Sequence, residues 1–333
     1  MIYYANAGFY QFLKNMTSEK KNSTEHTITG TSIVMSRGAK YLVESDIKKN
    51  NLYFKFDICQ ETDYEKIGVN SVDNNNPIMR IGTNNDEYPY ILMTLRNKVL
   101  FIEREDKTGY KTEIIKVDHM EQYANEPVTY ELHISTENVF DVFELWINNL
   151  LVGVKKDVNY LDDSLLMTME LSHGMPSSIA VGQEGYNYIS YVSNIMIGDE
   201  RLSNKKCMVL PTKVVSSDWK VEDGLYVSTD KGQELTLQVD VDELNKINPL
   251  YANTKIDCIM CGSDVAYSEG YNSKINYAVN GTSFDEKTLS NKNYQGVKTK
   301  LLSKNPSIND YWHIEDLRTA KFTMTSDTRL SDE

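Results

Sequence analysis

Alternation of apolar and polar residues with a period of two recurs through this chain, and it restricts the backbone more tightly than any other feature. Successive side chains of a strand point to opposite faces, so the pattern gives one face to a core and the other to solvent. Within residues 52–58, Phe54, Phe56 and Ile58 share one face and Lys55 and Asp57 the other, which predicts a half-buried strand. Val128, Tyr130, Leu132 and Ile134 alternate with Thr129, Glu131 and His133, and Phe143, Leu145 and Ile147 alternate with Glu144, Trp146 and Asn148. The pair Asn148-Asn149 tolerates the positive φ of a tight turn and precedes Leu151, Val152 and Val154, so residues 139–156 read as a hairpin. Further strands are predicted at 98–104, 112–117, 178–182 and 191–198, and amphipathic helix is scarce.

Many short strands punctuated by Asn, Asp and Gly favour an antiparallel sandwich over an α/β fold. A length of 333 residues exceeds what one core usually serves, which suggests two domains. The alternation lapses in the polar, proline-containing stretch DERLSNKKCMVLPTKVVSSD and resumes in Leu235, Leu237, Val239 and Val241, then at 256–260 and 275–279. The expected architecture is therefore all-β: two consecutive antiparallel β-sandwich, jelly-roll-like domains, residues 1–205 and a smaller one at 212–333.

A formal net charge of -13 repels phosphate backbones, and the lysines are scattered, so nucleic acid is not an expected partner. No run approaches the roughly 18 to 20 apolar residues of a membrane-spanning helix, so no membrane insertion is expected. The opening MIYYANAGFYQFLKNM places no positive residue before Lys14 and lacks a small-residue cleavage pattern, so no secretory signal is read there. The four cysteines do not form a disulfide framework, which fits synthesis in a reducing compartment.

The sharpest literal motif is Glu61-Thr62-Asp63-Tyr64-Glu65. On one strand, period two would align the three carboxylates as nucleophile, helper and acid/base of a glycoside hydrolase. Thr62 and Tyr64 are poor core plugs, however, and KIGVNSVDNNNP follows, so residues 59–77 are expected to form an exposed connection carrying solvated acids. Cys258 and Cys261 spell C-x-x-C without a second close pair, and a strand would put them on opposite faces. The five histidines, His26, His119, His133, His173 and His313, are dispersed. Asp240 and Asp242 lack the glycine of a calcium loop, while Asn74 to Asn76 and Asn84 to Asp86 lie in loops with calcium-ligand chemistry. No cofactor, metal or catalytic residue is assigned. Tyrosine, at 22 copies, is the residue most relevant to binding, and the stretch QEGYNYISY makes Tyr186, Tyr188 and Tyr191 the candidate contacts for a ligand or partner.

The first domain resembles the laminin-G or concanavalin-like jelly rolls of bacteriophage and prophage tail proteins. The resemblance rests on the opening at residues 5–12 with the strand at 32–42, on YFKFDI, on the hairpin FELWINNLLVGV, and on the closing IAVGQEGYNYISYVSNIMIGDERL. The second domain resembles another tail module through Asn305-Pro306, Trp312, Asp316-Leu317, Ala320 and Phe322. The resemblance implies a non-enzymatic virion structural component of a phage tail or baseplate, made in the host cytoplasm and placed in the virion. Its partners would be copies of itself, other tail proteins and host-surface glycans. The alternative is a carbohydrate-binding module for cell-surface glycans, and a third reading is the hydrolase using Glu61, Asp63 and Glu65.

Overall fold

The computed structural model describes residues 1–8, 22–23, 31–35, 40–43, 47, 49–61, 77–83, 87–96, 98–123, 125–161, 166–172, 189–247, 254–265, 271–289 and 295–330. The chain is nearly all β, in antiparallel sheets, and separates into two compact units, Met1–Val209 and Leu210–Glu333.

Two sheets build the first unit. The eight-stranded sheet runs in the order β12 (Leu150–Val158), β11 (Asp141–Ile147), β10 (Val128–Ser135), β5 (Asn51–Glu61), β14 (Ile189–Gly198), β3 (Ser32–Met35) and β2 (Asn22–Ser23), with β1 (Ile2–Asn6) also paired to β14. The six-stranded sheet runs β4 (Lys40–Val43), β13 (Leu166–Ser172), β6 (Met79–Thr83), β7 (Glu87–Arg96), β8 (Val99–Glu105) and β9 (Lys111–Val117). Alternate residues from both meet in one core, with Phe54, Phe56, Leu132, Phe143 and Leu145 on one side and Met79, Ile81, Ile91, Met93 and Ile102 on the other. Burying each such side chain contributes roughly 1.5–3 kcal/mol. Asn148 and Asn149, at φ 50° and 68°, make the turn between β11 and β12.

In the second unit, a five-stranded sheet runs β15 (Thr212–Ser217), β18 (Glu234–Val239), β25 (Lys321–Leu330), β20 (Tyr271–Val279) and β21 (Thr282–Thr288). Ile275 and Tyr277 of β20 pack with Val297, whose strand β22 (Gln295–Lys298) pairs with β19 (Gly262–Val265). Two more ribbons are β16 (Lys220–Glu222) with β17 (Leu225–Val227), and β23 (Lys304–Asn305) with β24 (Asp310–Tyr311). The alternation through Val241 does not continue as a strand. After Val239 the backbone turns into helix α1 (Val241–Ile247), because the Asp240 carboxylate accepts from the Glu243 N–H at 3.3 Å and caps it. The strand expected at 256–260 is reduced to one bridge, Ile259 to Leu302. Around helix α2 (Ile314–Thr319), Trp312 donates to the Leu302 carbonyl at 2.9 Å and stacks on Phe322, and Leu317 and Ala320 are buried. The sequence motif there is thus a packing unit.

The half-buried expectation for β5 fails, because its polar face is as deeply buried as its apolar one. Lys55, Asp57 and Glu131 are only 1%, 2% and 1% exposed. The reason is the segment 199–207, which crosses this outer face. The Lys55 ammonium donates to the carbonyls of Leu202 at 2.9 Å, Ser203 at 3.4 Å and Lys205 at 2.5 Å, and Glu131 accepts from the Leu202 N–H at 2.5 Å. Asn194 sits at a bulge of β14 with φ 53°. It accepts from the Cys207 N–H and donates to Asp57, both at 2.9 Å, and Thr129 donates to the other Asp57 oxygen at 2.6 Å. Arg201 lies 4.5 Å over the Trp146 ring. Burial pushes the Lys55 amine down and the Asp57 and Glu131 carboxyls up.

In the next cross-strand row, His133 stacks on Tyr53 with centroids 4.1 Å apart, and its ring nitrogens lie 2.9 Å from Glu144 and from Asn51. Burial holds the imidazole below its ordinary value of 6.5, against the opposing pull of Glu144. The unfolded chain therefore takes up this proton first, so the contribution of His133 to stability is complete above about 6.5 and is lost as the pH falls toward the lower folded-state value. Urea unfolding of the first unit between pH 7.5 and 5 should show this loss, and His133→Gln should flatten that part of the profile; an unchanged slope would rule it out.

Candidate functional site

On the outer face of the six-stranded sheet, as at Glu131 on the larger one, the hydrogen-bond accounting does not close among the described residues. A single cross-strand row spans all six strands: Leu42, Glu170, Arg80, Leu92, Glu103 and Glu113, from β4, β13, β6, β7, β8 and β9 in turn. Flanking it on β7 and β8 are the opposed pairs Tyr90 with Glu105, and Thr94 with Phe101. Inner-face partners Ile91, Met93, Leu100 and Ile102 fix this parity by entering the core.

Arginine covers both aromatic rings. The Arg80 guanidinium lies 3.5 Å from the centroid of Tyr90 and 3.8 Å from Glu170, and that of Arg96 lies 4.2 Å from Phe101 and is paired with Oε1 of Glu103. Tyr88, exposed, tilts against Tyr90 with centroids 4.3 Å apart. The tips of Arg80, Arg96 and Glu170 reach solvent, while Leu92, Thr94 and Glu103 lie beneath them. Thr94 is 0% exposed and Glu103 4%, yet the Thr94 hydroxyl and Oε2 of Glu103 have no hydrogen-bond partner among the described residues. Leaving a buried polar group unmet costs about 1–3 kcal/mol, so two of them on one face mark a place where a ligand can supply what the protein does not. The β8–β9 turn is locally specified: Asp106 accepts from the N–H and hydroxyl of Thr108 and from the N–H of Tyr110, at 2.8, 2.6 and 3.1 Å, with Gly109 at φ 81°.

Of the tyrosines singled out in QEGYNYISY, Tyr191 is not brought to this face. Tyr191 lies in β14 opposite Cys59 and Val34 and is 6% exposed, so its ring is packed rather than presented, and Tyr186 and Tyr188 fall outside the described residues. The exposed connection expected from residue 59 does not begin there. β5 continues to Glu61 because β14 pairs alongside it, with Ile189 opposite Glu61, and Cys59 is fully buried. Asp63 and Glu65, the loops at 74–76 and 84–86, the strand expected at 178–182, His26 and His173 lie outside the described residues. His119 is exposed near Glu121 and His313 precedes α2. Burial raises the Cys261 thiol to about 12, so it is not a ready thiolate for metal or redox chemistry. Sequence reading passed over Thr94, Arg96 and Glu103, although their signal was present. Thr94 and Arg96 break the apolar run of β7 at even positions, and Glu103 and Glu105 repeat the break at odd positions of β8.

No protein-family model and no curated protein matches the chain. Among solved structures, the receptor-binding domain of botulinum neurotoxin type G is similar at 10% identity over 96% of this chain and 93% of that one, with a TM-score of 0.37. A botulinum neurotoxin type C structure, concerning cell entry dependent upon interaction with two ganglioside molecules, is similar at 8% identity over 96% and 93%, TM-score 0.38. A mutant alginate lyase in complex with alginate trisaccharide is similar at 9% identity over 51% and 82%, TM-score 0.33. Likeness of this degree assigns no activity, ligand or partner.

The unmet hydroxyl gives a direct test of the site. Thr94→Val keeps the side-chain shape and removes the orphan, so it should stabilise the first unit by about 1 kcal/mol in chemical denaturation. A loss of stability of that size would show that the hydroxyl is already satisfied.

Proposed function

We propose that the first unit is a non-catalytic recognition domain that binds a glycan on the outer face of the six-stranded sheet. The observation that carries this reading is the pair of buried polar atoms without a hydrogen-bond partner among the described residues, Thr94 Oγ1 and Glu103 Oε2, on the face that also carries Arg80, Arg96 and Glu170. A sugar is the ligand class whose hydroxyls both donate and accept at close spacing, and planar guanidinium and carboxylate groups are suited to reading them. Screening the protein on a glycan array and titrating the best ligand by calorimetry tests it. Arg80→Ala and Thr94→Val should each weaken binding about tenfold or more while the fold persists. An empty array, or binding indifferent to both substitutions, would remove the reading.

A second reading, assembly into a phage tail in the virion, has one supporting observation in the second unit. β15 to β17 expose Val214, Val215, Val221, Leu225 and Tyr226, and a two-stranded ribbon such as β16–β17 is marginal by itself. Light scattering after size exclusion should then show an oligomer that Val221→Lys with Leu225→Lys dissociates; a monomer at all concentrations counts against it.

A further inference from the structure

The buried unmet atoms of the proposed glycan face are a carboxylate oxygen of Glu103 and the hydroxyl of Thr94. Among its cations, Arg80 is engaged with Glu170, Arg96 with Oε1 of Glu103 and Lys116 with Asp118 at 3.2 Å, and Lys111 stands opposite Glu105 across β8 and β9. What remains is Oε2 of Glu103, the carboxylate of Glu113 directly opposite it across β8 and β9, and the carboxylate of Glu105 two residues along the same face of β8. Neither Glu105 nor Glu113 has an ion-pair partner among the described residues. Like charges directly opposite on a sheet repel, and Glu103 is buried where that repulsion is least screened. Among the buried unmet atoms of this face in the described residues, the Thr94 hydroxyl is the donor.

We propose that the sugar taken by this face carries a free, positively charged amine, as a de-N-acetylated amino sugar does. An ammonium group supplies three N–H donors and no acceptor, so one such group can donate to Oε2 of Glu103 and relieve its repulsion with Glu113. A ring hydroxyl beside it would meet Thr94. A neutral sugar fills the hydrogen bond but leaves the two carboxylates facing each other. A uronate or sialate adds a further negative charge to this cluster, on a chain whose net charge is already -13. The inference rests on the reading of the face as a glycan site and deepens it by naming the ligand's charge.

Calorimetry with three oligosaccharide series of one glucan backbone, bearing free amine, acetylated amine or hydroxyl at the same ring position, separates the two claims when an oligouronate is added as a fourth. The free-amine series should bind about tenfold more tightly than the hydroxyl series, and Glu103→Gln should abolish that preference. Added salt should weaken the free-amine series most. If the hydroxyl, acetylated or uronate series binds as well or better, and Arg80→Ala still removes binding, the charge assignment is overturned while the face remains a glycan site. Binding untouched by Arg80→Ala overturns the face itself, and no binding of the free-amine series overturns the proposal.

Discussion

The first unit is organised around one buried ammonium. Lys55 stands on the central strand β5 of the eight-stranded sheet and reaches three backbone carbonyls of the segment that leaves β14. A lysine without those acceptors, lying under that segment beside Asp57 and Glu131, would carry a desolvation cost of several kcal/mol. With them, the peptide groups of the segment are met by side chains of the sheet rather than by water. Asn194 and Glu131 complete this accounting, so the segment is held by groups on β5, β10 and β14 together.

That closure covers part of one outer face of the sandwich. The inner faces of both sheets form the core, and the outer face of the larger sheet is covered by residues 199–207 over β5, β10 and β14, while β12 leaves Leu151 and Val154 exposed. On the outer face of the smaller sheet Arg80 and Arg96 engage Glu170, Glu103 and two aromatic rings, and Thr94 and one Glu103 oxygen stay unmet among the described residues. Two polar faces thus differ in what lies on them: residues 199–207 engage Lys55, Asn194 and one oxygen of Glu131 on the larger sheet, whose other Glu131 oxygen stays without a hydrogen bond among the described residues.

The sandwich itself was legible where patterning and turn chemistry coincide. The hairpin of β11 and β12 follows from alternation on either side of two asparagines that accept positive φ. Val241 was misread because the Asp240 to Glu243 capping signal looks, in an alternating context, like one more polar-apolar step. Tyr191 was chosen as a contact because tyrosine suits interfaces, yet β14 lies between β5 and β3 and its tyrosine is packed. The candidate site was missed because none of its members is unusual alone.

By itself the sequence determined the strands, their inward faces and the tight turns, because these depend on residues near one another in the chain. Whether a polar face ends up covered or open was settled only by tertiary structure. Lys55 and Leu202 are 147 residues apart, and Arg80 and Glu170 come from strands paired only in the folded sheet. Burial, and with it the pKa directions of Lys55, Asp57, Glu131 and His133, is a property of what lies on top of a residue, and alternation carries no record of that. The same holds for Thr94 and Glu103, whose unmet atoms became visible only when every neighbour that could have satisfied them was in place.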